Sequence, residues 1–499
     1  MQSFPRLILP VKGEFSRTYS SFARNIIRQN RLFSLPIPAN IPKRISPSKS
    51  RLLFTTIIHR NATTSSENVA VRLSQISTEP IVSKHLYVIA GLVSAIVVVG
   101  GLTRLTESGL SITEWNLVTG TLPPLTSEQW EAELEKYRET PEGRLLNKGI
   151  EMSDFKKIYL MEYHHRLLGR LIGLAFLIPI PIFIMRKRIS PRKVGAMLGI
   201  GGLIGAQGFL GWYMVQSGLS EELIAAASQS GVPRVSQYRL AAHLGLAFII
   251  YLSSLRLGWS IARDWKIVQA IKSSSSSSVK LSGRLFDSPR EAVQFFKSNP
   301  IAKKFRVAIT ALTALTFLTA MSGAFVAGLD AGLLYNTFPY MGHDMTTNKP
   351  TFSPPKSELF DPRYIRGNGD ENEDKNKNDT ATLIWYNVFE NPSTVQFDHR
   401  VLAVTTFFST VALALFAKKG INRATLPPST LKLINSIFAM ATVQASLGIS
   451  TLIYLVPTSL ASAHQAGSLA LLTLCAAAGA SLRRPHHLIR RYLSSYSSK

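Results

Sequence analysis

The chain has 499 residues, 46% of them hydrophobic and 17% charged, with a net charge of +26. Its single cysteine, Cys475, excludes an intrachain disulfide and any cysteine-based zinc or iron–sulfur centre. The positive charge does not indicate a nucleic-acid partner, because it is gathered in the first 60 residues and then sorted from loop to loop.

Residues 1–60 hold eleven Lys or Arg against one acid, Glu14, and are rich in serine. Residues 22–28 can form a basic amphipathic helix, and no secretory apolar core precedes Lys84. This composition predicts a mitochondrial transit peptide and arm. Eight apolar runs of about 20 residues follow, each able to cross a hydrocarbon core of about 30 Å. They fall near 84–103, 163–185, 194–216, 237–260, 305–327, 396–417, 431–456 and 460–482. The fold class is therefore an all-α polytopic membrane protein.

The loops alternate in charge. Loop 186–193 and segment 418–432 carry basic residues and no acid, 261–304 has nine basic residues to three acids, and the tail 483–499 is basic. Loops 104–160 and 328–395 are acidic on balance, at ten to seven and ten to six. Short basic loops stay on the side from which insertion occurs. This predicts an inner-membrane multi-pass protein with both mature termini in the matrix. The acidic stretch from Glu128 to Glu142 has helical spacing and reads as a solvated face, and 367–379 reads as a polar insertion.

The chain also repeats itself. Gln207 to Gly211 in the third run matches Gln444 to Gly448 in the seventh, and His165-Arg166 in the second matches His399-Arg400 in the sixth. The fourth and eighth runs place small residues before His243 and His464, and the first and fifth end in glycine-containing segments. Two tandem four-helix bundles follow, 84–260 and 305–482, joined by a matrix linker, 261–304, that contains the low-complexity run Ser273–Ser278.

His165, His243, His399 and His464 occupy the even-numbered spans, which all enter from one side, so the four imidazoles share one depth. Intramembrane histidines are costly and usually functional. Facing helices of a bundle bind cofactors in their core, and two imidazoles on one iron make a bis-histidine heme. Satisfied structural histidines are the plainer alternative. His164 and His165 point about 100° apart on a helix, and the repeat favours His165. Arg166, Arg400, Arg104 and Arg239 lie near the same rim, where guanidinium groups could pair with heme propionates or extend to the interface. Glu162 lies one helical turn before His165, whereas Gln396 holds the matching place before His399. A carboxylate can move a proton or stabilise a cation, so the N-terminal site is the candidate for chemistry. The competing reading is that Glu162 caps the second helix.

Glu162-Tyr163-His164-His165-Arg166, Gln237 to His243, Phe397-Asp398-His399-Arg400, Ala463 to Ser468 and Gly100 to Leu110 together resemble the mitochondrial heme A synthase family over about residues 80–485. The resemblance implies oxidation of the C8 methyl of heme O to the formyl group of heme A, for cytochrome c oxidase. It implies that His399 and His464 hold heme b, that His165 and His243 take the substrate heme, and that Glu162 is catalytic. Heme O synthase, a ferredoxin electron donor and cytochrome oxidase assembly factors are the partners it implies. A homo-oligomer is compatible with the sequence. The cysteine pair of many bacterial members is missing, which removes any thiol-based step. A diheme b-type protein that oxidises a quinol would use the same histidines without Glu162.

Overall fold

A computed structural model describes residues 77–115, 122–219, 234–273, 278–343, 347–364, 380–487, 489–490 and 493. The expected transit peptide and the insertion 367–379 lie outside the described residues, as does most of the serine run. Eight helices are long and apolar enough to cross a membrane. They are α1 (Pro80–Leu105), α2 (Met152–Met185), α3 (Pro191–Leu219), α4 (Gln237–Ser273), α5 (Pro300–Gly328), α6 (Pro392–Lys418), α7 (Pro428–Ile453) and α8 (Thr458–Ser481).

Local chemistry sets several of their ends. Proline, which has no N–H to leave unsatisfied, stands in the first turn of α1, α5, α6 and α7. Asn299 and Asn391 cap α5 and α6 by accepting from the backbone N–H groups of Ala302 and Ser393. Within α2, Pro179 interrupts the helix after Leu177.

Two helices extend beyond their apolar runs. α2 begins at Met152 rather than near 163, because its first turns pack aromatic rings instead of lipid. Phe155, Tyr159 and Tyr163 form a buried cluster with Leu134 and Tyr137. The latter two come from the surface helix Ser127–Arg138, which a Thr126–Gln129 capping box starts. α4 runs past 260 to meet an antiparallel hairpin, β1 (Val279–Leu281) with β2 (Arg284–Phe286), and the helix Pro289–Ser298. Ile267, Val268, Phe286, Phe296 and Phe305 share one core there, so much of 261–304 is a folded cap.

The helices close into two rings. α1 packs on α2 and α4, and α3 on α4 and α2; α5 packs on α6 and α8, and α7 on α6 and α8. The rings meet along α4–α5, α1–α8 and α4–α8. Faces turned away from the rings are apolar, with Leu171, Leu174 and Leu177 on α2 and Val401, Val404 and Phe408 on α6 exposed. Such faces call for hydrocarbon rather than water.

Candidate functional site

The four histidines lie inside α2, α4, α6 and α8, and each ring rests against a glycine of the helix before it. A methyl group at Gly100 of α1 would stand 2.9 Å from Nε2 of His165, and one at Gly211 of α3 would stand 3.1 Å from Cε1 of His243. At Gly323 of α5 it would be 3.1 Å from Cε1 of His399, and at Gly448 of α7 it would be 2.7 Å from Cε1 of His464. The repeated glycines of the odd-numbered helices thus make room for the repeated histidines of the even-numbered ones.

His399 and His464 face one another with ring centres 6.4 Å apart and planes at 88°. Two imidazoles bound to one metal through nitrogens at about 2 Å would stand about 6 Å apart, so this pair fits a shared iron. His165 and His243 are close enough to interact electrostatically. Among the described residues no three His, Cys, Asp or Glu converge on one point. Each pair could offer at most two protein ligands to a bound group, a number that a porphyrin-held iron accepts. His164 is exposed, with Nδ1 2.6 Å from the Leu160 carbonyl, and stands outside the ring that His165 faces.

Around the histidines the two halves repeat hydrogen bonds from glutamine. Gln207 donates to the carbonyl of His243 at 3.0 Å, and Gln444 to that of His464 at 2.8 Å. Both bonds cross between helices and end on the residues that carry the imidazoles. Oε1 of both glutamines, Nδ1 of His464 and Nε of Arg400 are buried without a partner in the protein. Such orphaned polar atoms fit a place shaped for a further polar group. Ser322, which sequence reasoning missed, lies 2.8 Å through its Oγ from Nδ1 of His399. Its position beside Gly323 was the available signal.

The arginines after the second- and sixth-helix histidines clamp corresponding loops. Arg166 donates to the carbonyls of Ile112 and Glu114, at 3.0 and 2.8 Å. Arg400 donates to those of Tyr335 and Thr337, at 2.6 and 3.0 Å. Of the other two arginines expected near propionates, Arg104 crosses between the rings to Asp330 and the Ala327 carbonyl, both at 2.8 Å. Arg239 donates to the Tyr213 carbonyl and lies over the Tyr213 ring at 3.6 Å. Another contact between the rings sits one residue from each of two site positions. Gln465 follows His464, fills the space left by Gly101 and donates to the Val97 carbonyl.

Within this repeated frame Glu162 differs from Gln396. Glu162 is 2% exposed and lies well inside α2, which begins at Met152, so it is not a helix cap. One carboxylate oxygen receives Ser111 Oγ at 2.7 Å and the Ile112 N–H at 2.9 Å. The other receives Arg166, with Nη2 at 2.7 Å and Nε at 3.0 Å. Gln396 instead donates to the Leu334 carbonyl, and its own oxygen is unpartnered. One pocket therefore carries a fixed carboxylate beside its histidine, and the other a neutral amide.

The family model of the cytochrome oxidase assembly protein family COX15-CtaA matches residues 83–476. The chain belongs to this family. Heme A synthase COX15 of Saccharomyces cerevisiae is 42% identical over 85% of this chain and 80% of its own length. Heme A synthase COX15 of Homo sapiens is 39% identical, over 81% of this chain and 83% of its own. A heme A synthase–mitochondrial ferredoxin fusion protein of Schizosaccharomyces pombe is 41% identical, over 91% and 70%. The COX15-CtaA match reaches into all eight membrane helices, and the four histidines with their facing glycines lie within it.

Proposed function

We propose that this chain is a heme A synthase of the mitochondrial inner membrane that oxidises the C8 methyl of heme O to the formyl group of heme A for cytochrome c oxidase. Both mature termini would lie in the matrix and the histidines near the intermembrane space. The observation that carries the reading is the buried carboxylate of Glu162, present in one of two otherwise matching histidine pockets.

In this reading His165 and His243 hold heme O, and the methyl gives two electrons to an external oxidant in each of two rounds, taking up oxygen from water and releasing two protons each time. It passes through a hydroxymethyl to a geminal diol, which loses water to give the aldehyde. Glu162 takes the proton released at the reacting carbon, or stabilises positive charge developing there. Its four donors fix its position before substrate arrives, which lowers the reorganisation cost of the reaction. Heme b on His399 and His464 would supply one-electron transfer. Gln396 beside it cannot exchange protons, which suits a pocket that only holds its cofactor. Heme propionates would compete for Arg166, Arg400, Arg104 and Arg239 with the carboxylate and carbonyl acceptors that hold them here, and Nε of Arg400 is a buried donor without an acceptor in the protein. A ferredoxin as electron-transfer partner is in keeping with the fused relative. Heme O synthase and cytochrome oxidase assembly factors would act with the chain at entry and delivery of the heme.

The test is Glu162→Ala, with pigments extracted and identified. The variant is expected to retain heme O and heme b and to yield no formyl product. Normal heme A would refute the catalytic role, and a wild-type protein containing only heme b would favour quinol oxidation.

A further inference from the structure

Glu142 is as deeply buried as Glu162 although it belongs to a surface loop. Its side chain is 4% exposed, and one carboxyl oxygen has no hydrogen-bond partner in the protein. Burying such a group ionised and unpaired would be expensive. The turn that buries it is well defined. Thr140 ends the helix Ser127–Arg138 by bonding back to the Tyr137 carbonyl and caps the next short helix, Pro141–Leu145. Gly143 lies against Tyr137, where a methyl group would run into its carbonyl oxygen. The close approach leaves Glu142 turned inward.

The ionisable groups around it come from three neighbouring elements. The preceding helix brings Tyr137, the end of α1 brings Arg104 and Glu107, and α2 brings Glu162. The end of α3, 215–219, has no ionisable residue. Arg104 already pairs with Asp330. Glu142 thus lies within electrostatic reach of both buried Glu162 and exposed Glu107. Glu107 stands just past the end of α1 with φ 51°, a left-handed conformation that turns the chain away from the helix.

We propose that Glu142 is the proton-transfer residue between Glu162 and the aqueous face at the loop end of the bundle, with Glu107 as the exit. This rests on the reading of Glu162 as the group that takes the substrate's proton. Glu162 passes that proton to Glu142, whose own proton leaves towards Glu107 and water. One proton enters the relay and one leaves, and no electron moves along it. Burial, with the charges of Glu162 and Glu107, pushes the Glu142 carboxyl up to about 8, so it carries a proton at neutral pH and releases it within reach of physiological conditions.

Infrared titration of the full-length protein in detergent tests the site independently of heme A formation. A protonated-carboxyl band should disappear with a midpoint near pH 8, be missing in Glu142→Gln, and titrate at lower pH in Glu162→Gln, where the neighbouring charge is gone. Single-turnover conversion of heme O then tests the relay. Glu142→Gln should bind heme O normally and slow conversion by about 10²-fold, the lower end for general acid–base groups. It should also lose the pH dependence near 8, and Glu142→Asp should restore part of the rate. A band unchanged in Glu142→Gln, or a wild-type rate and pH profile in that variant, overturns the relay while leaving heme A synthesis intact. Normal conversion by Glu162→Ala would instead overturn the underlying reading, with the infrared result unaffected.

Discussion

Replacing Gly100 with alanine asks whether the glycine contacts hold the histidines in place. The new methyl would stand 2.9 Å from Nε2 of His165, against an ordinary contact of 3.4 Å or more, so the ring or helix α1 must yield by about 0.5 Å. Overpacking of this kind costs about 1–3 kcal/mol, or about 5- to 150-fold in affinity at about 1.4 kcal/mol per decade. Gly91→Ala is the control in the same helix, since its methyl would meet nothing within 4 Å. There, exchanging glycine for alanine should be neutral or favourable to the helix. The assay is pigment content of purified protein by pyridine hemochrome. Gly100→Ala should lose heme O and heme A while keeping heme b, and Gly91→Ala should match wild type. Wild-type heme O and heme A in Gly100→Ala would refute the claim that this glycine sets the position of His165.

Two further outcomes follow from contacts described above. Gln444→Leu removes the donor to the His464 carbonyl; interhelical bonds in membranes are worth about 0.6–1.7 kcal/mol, so heme b should be released about 3- to 20-fold faster, read from absorbance after adding a heme scavenger. Stability should also depend on Glu142. Its carboxyl is raised from about 4.5 unfolded to about 8 folded, so the folded state binds the proton more tightly and its advantage is lost as pH rises from 4.5 through 8. Raising the pH from 7 to 9 should cost wild type about 1.4 kcal/mol, one unit of that range, while Glu142→Gln should not show this loss. Denaturation in detergent at the two pH values measures the difference.

Much of the frame could be read from sequence because lipid imposes long apolar runs, and four histidines in such runs stand out. The helix starts were harder to read. The first turns of α2 bury Phe155 and Tyr159 against a loop helix, and no hydropathy signal marks a contact between polar and aromatic faces. The glycine repeats were visible, but their purpose needed the facing helix. Glu142 was hidden for a different reason. It closes an acidic stretch that reads as solvated, and only the Thr140–Pro141 turn brings it inside. Arg166 and Arg400 were conspicuous as cations, yet the carbonyls they hold come from residues some 50 to 65 positions away.

The seam at Gln465 gives the two pockets a mechanical link. Its amide occupies the notch at Gly101, beside the glycine that supports His165, while its backbone adjoins His464. If α8 takes up heme b as proposed, any shift of that helix would press on the wall of the opposite cage. Occupancy of one chamber should then alter the grip of the other, so pigment stoichiometry would be a property of the whole duplicated molecule.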